Sequence, residues 1–175
     1  MNAIERLLHE GTSLLMVPVV LTLFLLLAWT LLSTGGFLRE LRDRRAAGRE
    51  IGLAALFTRE APALGADAAV LEALADRCEV EGSRRVTRLN LAARAGPTLG
   101  LMATLIPMGP ALLALAEDDV ERLARSLAVA FTATVVGLLV GLLCAVMGSM
   151  RRQWYAADMV DVDARIAAAT ASRSS

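Results

Sequence analysis

Lysine is missing from this 175-residue chain, and all eighteen basic side chains are arginine. Histidine occurs once, as His9, which argues against a catalytic arrangement built on an imidazole base. Cysteine occurs twice, as Cys78 and Cys144, with no C-x-x-C or Cys/His spacing, so neither a metal site nor a cofactor is expected. A disulfide between them is not expected either, because Cys78 falls in a segment assigned below to the reducing cytoplasm. Neither sign of charge is in excess, since eighteen Asp and Glu balance the arginines, so the basic footprint of a nucleic-acid binder is absent. No strand pattern outweighs the helical one, and no internal repeat appears. No nucleophile falls beside a base, so the chain does not read as an enzyme.

Charge is also absent from long stretches. Residues 11–38, 95–116 and 126–150 contain no Asp, Glu, Lys, Arg or His. Each is long enough to cross about 30 Å of hydrocarbon at about 1.5 Å per residue. With 56% hydrophobic residues and a mean hydropathy of +0.56, the chain reads as an all-α integral membrane protein with three transmembrane helices. The first run exceeds a signal-peptide core, and no convincing A-x-A site follows it. It ends in the basic cluster RELRDRRAAGR, as a retained anchor does.

The patterning divides the chain into an outer amphipathic lead (1–12), a first span (13–34) and a helical cytoplasmic loop (35–95). A second span (96–116), an outer hairpin (117–125), a third span (126–150) and a cytoplasmic helical tail (151–175) follow. Ile4, Leu7 and Leu8 share a face in the lead, and Gly35-Gly36 marks a break or bend. Within the loop, a helix is expected near 50–57. Pro62 and Gly65 separate it from a second helix capped by Asp67, with Val70, Leu71, Leu74 and Cys78 on one face. The second span projects into the cytoplasm from about Ser83. Asp118 and Glu121 have capping-box spacing, placing the start of the third helix near Asp119. That helix continues past an interfacial belt of Arg151, Arg152, Trp154 and Tyr155 to about Thr170. Eleven arginines lie between residues 39 and 94, against one before the first span and two in the hairpin. By the positive-inside rule the N-terminus is outside and the C-terminus cytoplasmic.

Within the spans, Ala133, Gly137, Gly141, Ala145 and Ser149 recur every four residues, a stripe that lets a neighbouring helix approach closely. Thr132 and Thr134 flank it. In the second span Gly96, Gly100 and Thr104 share a face. Pro97, Pro107 and Pro110 free backbone carbonyls, which in a bilayer must be met by protein groups or a wet cavity. Each threonine, Thr22 and Thr30 included, also has a simpler use in satisfying the carbonyl three or four residues back.

The segment AGPTLGLMATL, followed after a short hairpin by VAFTATVVGLLVGLLCAV, resembles the MotA/TolQ/ExbB proton-channel family. The signature of that family pairs A-P-x-x-G-L-x-G-T-V with A-L-x-x-T-x-x-G-L. Pro97, Gly100, Leu101 and Thr104 match the first part, and Ala130, Thr134, Gly137 and Leu138 the second. The resemblance implies a homo-oligomeric ring, typically a pentamer, in a prokaryotic cytoplasmic (inner) membrane. The ring would surround an ExbD/MotB-like single-span subunit that carries a membrane carboxylate. Ion flow, of protons or sodium, would drive work on an envelope partner, with Thr104 and Thr134 beside the ion path and Thr132 next to them. Val129 stands where the ExbB and TolQ branch has a glutamate, Ala103 precedes Thr104 in place of glycine, and Pro107 replaces another glycine. The short loop favours an ExbB-like role over a flagellar one. The alternative is a membrane scaffold that gathers partners and conducts nothing.

Overall fold

The computed structural model describes residues 3–47 and 68–171. They form three helices: α1 (Ala3–Ala47), α2 (Ala68–Ala116) and α3 (Val120–Ala171). No strand occurs among the described residues. All three helices are long and apolar enough to cross a membrane, and the chain is a multi-pass membrane protein. At about 1.5 Å per residue, α2 and α3 run roughly 75 Å, more than twice the hydrocarbon thickness. Helix is the only open-chain form that satisfies every backbone N–H and C=O internally in lipid. The polar halves stay helical through Ala, Leu, Glu and Arg, which are strong helix formers, and through pairs such as Glu81–Arg85 at 2.7 Å.

Several boundaries differ from the sequence expectation. The lead and the first span form one helix, and α1 continues without interruption through Gly35 and Gly36 to Ala47. A Cβ at either glycine would meet nothing within 4 Å, so no close approach depends on them. The helix near 50–57, the breakers Pro62 and Gly65, the cap at Asp67 and the side chains of Ile4, Leu7, Leu8 and Leu71 lie outside the described residues. α2 passes Pro97, Pro107 and Pro110 as one helix.

The described chain separates into two compact units: the stretch up to Ser33 with Leu91–Ala145, and Thr34–Asn90 with the stretch from Val146 on. In the first, the α1 residue Thr30 is fully buried and lies 3.5 Å from the Cys144 Sγ of α3. In the second, Arg44 of α1 clasps Asp158 of α3 through two hydrogen bonds, at 3.1 and 2.8 Å. Arg151 pairs with Glu40 at 3.1 Å. Phe37 stacks on Trp154 at 5.3 Å, with Arg44 over the Trp154 ring and Arg151 over the Phe37 ring. Leu74 and Ala75 of α2 pack on Val162, and Cys78 packs on Tyr155. The belt expected at 151–155 is therefore largely internal. Arg152 is exposed, whereas Trp154 and Tyr155 pack against other helices. Both cysteines are buried free thiols.

The expected hairpin of 117–125 shrinks to Glu117–Asp119. Asp119 N–H donates to the Ala114 carbonyl at 2.9 Å and Asp118 N–H to the Leu115 carbonyl at 3.3 Å, the paired bonds of a Schellman C-cap. Asp118 occupies its left-handed position with φ 57°. The cap of α3 is Asp119, whose Oδ1 accepts the Arg122 N–H at 2.9 Å, and not Asp118. The capping-box spacing points one residue early because a left-handed residue, Asp118, closes α2 before α3 opens.

This turn yields a signed prediction. Asp118→Gly relieves the left-handed strain and raises stability by about 1 kcal/mol. Asp119→Ala removes the cap and lowers it by about 1 kcal/mol. Thermal unfolding in detergent, followed by circular dichroism, should move in opposite directions for the two variants. Equal shifts would contradict this account of the turn.

Candidate functional site

The small residues of α2 and α3 meet each other. A Cβ built on Gly137 would stand 2.6 Å from the Gly96 carbonyl oxygen and 2.9 Å from the Gly100 Cα. One on Gly96 would stand 2.7 Å from the Gly137 carbonyl oxygen. One on Gly141 would stand 2.7 Å from the Pro97 ring and 3.1 Å from the Ala93 carbonyl oxygen. Pro97 has no N–H to offer Ala93, so the carbonyl that this proline frees lies against the bare face of Gly141. Glycine is required by backbone contact at Gly96 and Gly137, and by the rigid Pro97 ring at Gly141. The neighbouring helix that the stripe admits is thus the chain's own α2.

The stripe does not run its full length. Gly137 and Gly141 are buried, but Ala145 and Ser149 are exposed. A step of four residues rotates about 400° in a helix of 3.6 residues per turn, so each step drifts about 40° from the contact. The buried row instead steps through Gly137, Gly141, Cys144 and Gly148, alternating four and three. On α2 the buried row is Gly96, Gly100, Ala103, Pro107, Ala111 and Ala114. Thr104 sits half-buried at its edge, so Ala103 and not Thr104 continues the face of Gly96 and Gly100. Pro110 is also half-buried.

The threonines divide by their hydrogen bonds. Thr104 donates to the Leu101 carbonyl at 2.7 Å, a firm bond within its own helix. Thr134 lies 3.4 Å from the Gly100 carbonyl of α2 and 3.3 Å from the Ala130 carbonyl behind it. Both contacts are long, so this hydroxyl is loosely held between the two helices. A hydroxyl that donates to a carbonyl keeps its oxygen lone pairs for a cation or an acid proton. Gly100 is one helical turn from Thr104, so the fold brings Thr134 to the turn of α2 that precedes Thr104.

Thr132 stands elsewhere. It donates to the Ala128 carbonyl at 2.8 Å and lines a groove of about 290 Å³ with Val20, Leu23, Phe24 and Val129. That groove lies between α1 and α3. Its walls are almost entirely apolar, so the position where the resemblance expects a glutamate sits in a hydrocarbon surface. Ala133 lies between the two sides: its carbonyl is 3.4 Å from a Cβ on Gly100, and its side also borders the groove. Thr22 and Thr30 bond the carbonyls of Pro18 and Leu26, each at 2.7 Å.

The Arg44–Asp158 pair, with Glu40 and Arg151, is what sequence reasoning missed. Asp158 is 1% exposed and Arg44 11%, so removing one partner would leave a buried charge at a cost of about 3–5 kcal/mol. A signal was present. Arg151, Tyr155, Asp158 and Val162 continue the four-three spacing of Gly137, Gly141, Cys144 and Gly148, which marks Asp158 as a core position. Among the described residues no cluster of His, Cys, Asp and Glu is placed to hold a metal ion.

The glycine contacts predict a contrast along one stripe. Gly141→Leu forces α2 and α3 apart and should cost about 1–3 kcal/mol or more. Ala145→Leu, one step along, should stay within about 0.5 kcal/mol. Thermal midpoints in the same detergent decide this, and equal losses would mean that the α2–α3 contact does not discriminate the two positions.

Comparison with curated proteins and with solved structures returned no match. A family model, that of the MotA/TolQ/ExbB proton channel family, matches residues 50–163. That range covers all of α2, the turn, and α3 through the Asp158 row, and it is more than half of the chain. The proline, glycine and threonine positions that the fold assembles thus lie within the matched region, and the chain belongs to the MotA/TolQ/ExbB proton channel family.

Proposed function

We propose that this chain is the ring-forming subunit of an ion-driven motor in a prokaryotic cytoplasmic membrane. It would work with a single-span partner that carries a membrane aspartate or glutamate. The observation that carries this reading is the pairing of Thr134 with the Gly100 turn of α2, beside Thr104, within the matched family region. None of the three charge-free stretches holds an Asp, Glu, Lys, Arg or His, and Val129 sits in an apolar groove. A group that changes charge during transport must therefore come from another chain. A carboxylate in hydrocarbon needs polar neighbours. The threonine hydroxyls and the Ala103 and Ile106 carbonyls, whose helical donors Pro107 and Pro110 remove, supply them. One charge crossing 100 mV yields about 2.3 kcal/mol, enough to bias a mechanical step. Family membership supports the reading of a ring, which we put at five subunits. We place Thr104 and Thr134 on the ion path, and Thr132, which faces α1, at its margin.

Two measurements test this. In liposomes loaded with an ion-sensitive dye, the chain with its acidic partner should pass protons or sodium. Thr104→Val or Thr134→Val should abolish the flux without loss of assembly, while Thr132→Val keeps at least half of it. Flux from the chain alone, unchanged by adding the partner, would refute the assignment. Absence of flux in both preparations, with partner binding retained, would favour the non-conducting scaffold.

The second concerns orientation, with the N-terminus outside and the distal halves of α2 and α3 cytoplasmic. In intact cells an impermeant thiol reagent should label Ala116→Cys and leave Ala164→Cys unlabelled. Both native thiols are buried and form a low background. The reverse pattern would invert the orientation.

A further inference from the structure

On the second unit, α2 carries opposite charges on two flanks. One flank is a groove of about 540 Å³ with Arg77, Arg84, Arg85 and Arg88 against Asp76 and Glu81. Arg85 is paired with Glu81, but Arg77, Arg84 and Arg88 have no ion-pair partner among the described residues. The other flank is a groove of about 640 Å³ between α2 and α3, where Glu79 and Asp163, with Asp76 that borders both grooves, outnumber Arg152. These acids also have no ion-pair partner among the described residues. At about 100° per residue, Arg77, Arg84 and Arg88 fall within about 40° of one another around α2, and Glu79 lies about 160° away. The buried residues Leu74, Cys78 and Leu89 fall between them.

We infer that the acidic groove receives the basic flank of α2 from a second copy of this chain, the two forming the polar part of a head-to-tail interface. The inference rests on the ring reading above and names the residues that would close it. Each flank repels its own copy, so a two-fold pairing of like faces is disfavoured. A basic plug and an acidic socket on different sides of one helix associate head to tail, and repetition closes a ring. Like-charge contact at an interface costs several kcal/mol, whereas complementary charge fixes register and partner choice.

The test uses the full chain in detergent, with oligomer size read by native mass spectrometry at matched concentrations. Arg84→Glu with Arg88→Glu should weaken association by about tenfold or more, as should Glu79→Arg with Asp163→Arg. All four substitutions in one chain should restore the original oligomer, which separates an interface effect from misfolding. Raising the salt should weaken the unmodified oligomer. As a second readout, chains bearing Arg84→Cys, mixed with chains bearing Glu79→Cys, should form disulfide-linked dimers on mild oxidation. If the unmodified chain assembles and both charge-reversed variants assemble equally well, this interface is wrong and the ring stands. If the mixed cysteine chains do not cross-link although the ring forms, the interface is likewise wrong. A monomeric unmodified chain would overturn the ring reading itself.

Discussion

α2 and α3 touch backbone to backbone where Gly96 and Gly100 meet Gly137 and Gly141, with no room for a single added carbon at three of these four positions. In lipid the hydrophobic effect gives apolar helices no reason to prefer each other over acyl chains. Close van der Waals contact and polar contacts between helices must hold them instead. The glycines make that approach possible, and it brings the Thr134 hydroxyl within reach of the Gly100 carbonyl. The placement of the threonines thus depends on the absence of side chains at these glycines.

The second unit is held by different forces. Arg44, Asp158, Glu40 and Arg151 form a network beside the Phe37–Trp154 stack, and both rings face a guanidinium. Arginine suits this role better than lysine, because its planar fork engages a carboxylate through two bonds and also stacks on an aromatic face. A buried pair of this kind is weak evidence for stability, since burying both charges costs about as much as their attraction returns. Its geometric consequence is firmer: two bonds from one guanidinium fix α1 against α3 in a single register. Small residues and close backbone thus set helix positions in one unit, and directional charge and aromatic contacts set them in the other.

These arrangements bear on function through what the spans lack. Hydroxyls and proline-freed carbonyls are neutral ligands that can stabilise a charge without titrating. On the function proposed above, a wall built from them would line the path and leave the titrating group to another chain. Within the chain only 11% of the apolar window of α1 is buried, against 28% for α2 and α3. Most of each span is therefore turned outward, a surface suited to lipid and to further copies, as the family assignment leads one to expect.

Much of the architecture was legible in the residues. Absence of charge over twenty or more positions determined three spans, because unpaired charge is costly in hydrocarbon. The order of Pro97, Gly100, Thr104, Thr134 and Gly137 carries the resemblance to the family. The stripe from Ala133 to Ser149 includes Gly137 and Gly141, which meet α2, and Ala145 and Ser149, which are exposed, because a repeat of four outruns a helix of 3.6 residues per turn. The role of Asp158 was not legible. It lies 114 residues from Arg44, and no local pattern specifies a partner at that separation. Tertiary structure alone decided that Thr132 faces α1 while Thr134 faces α2, since two residues on one helix stand about 200° apart and only the positions of the other helices give those directions meaning.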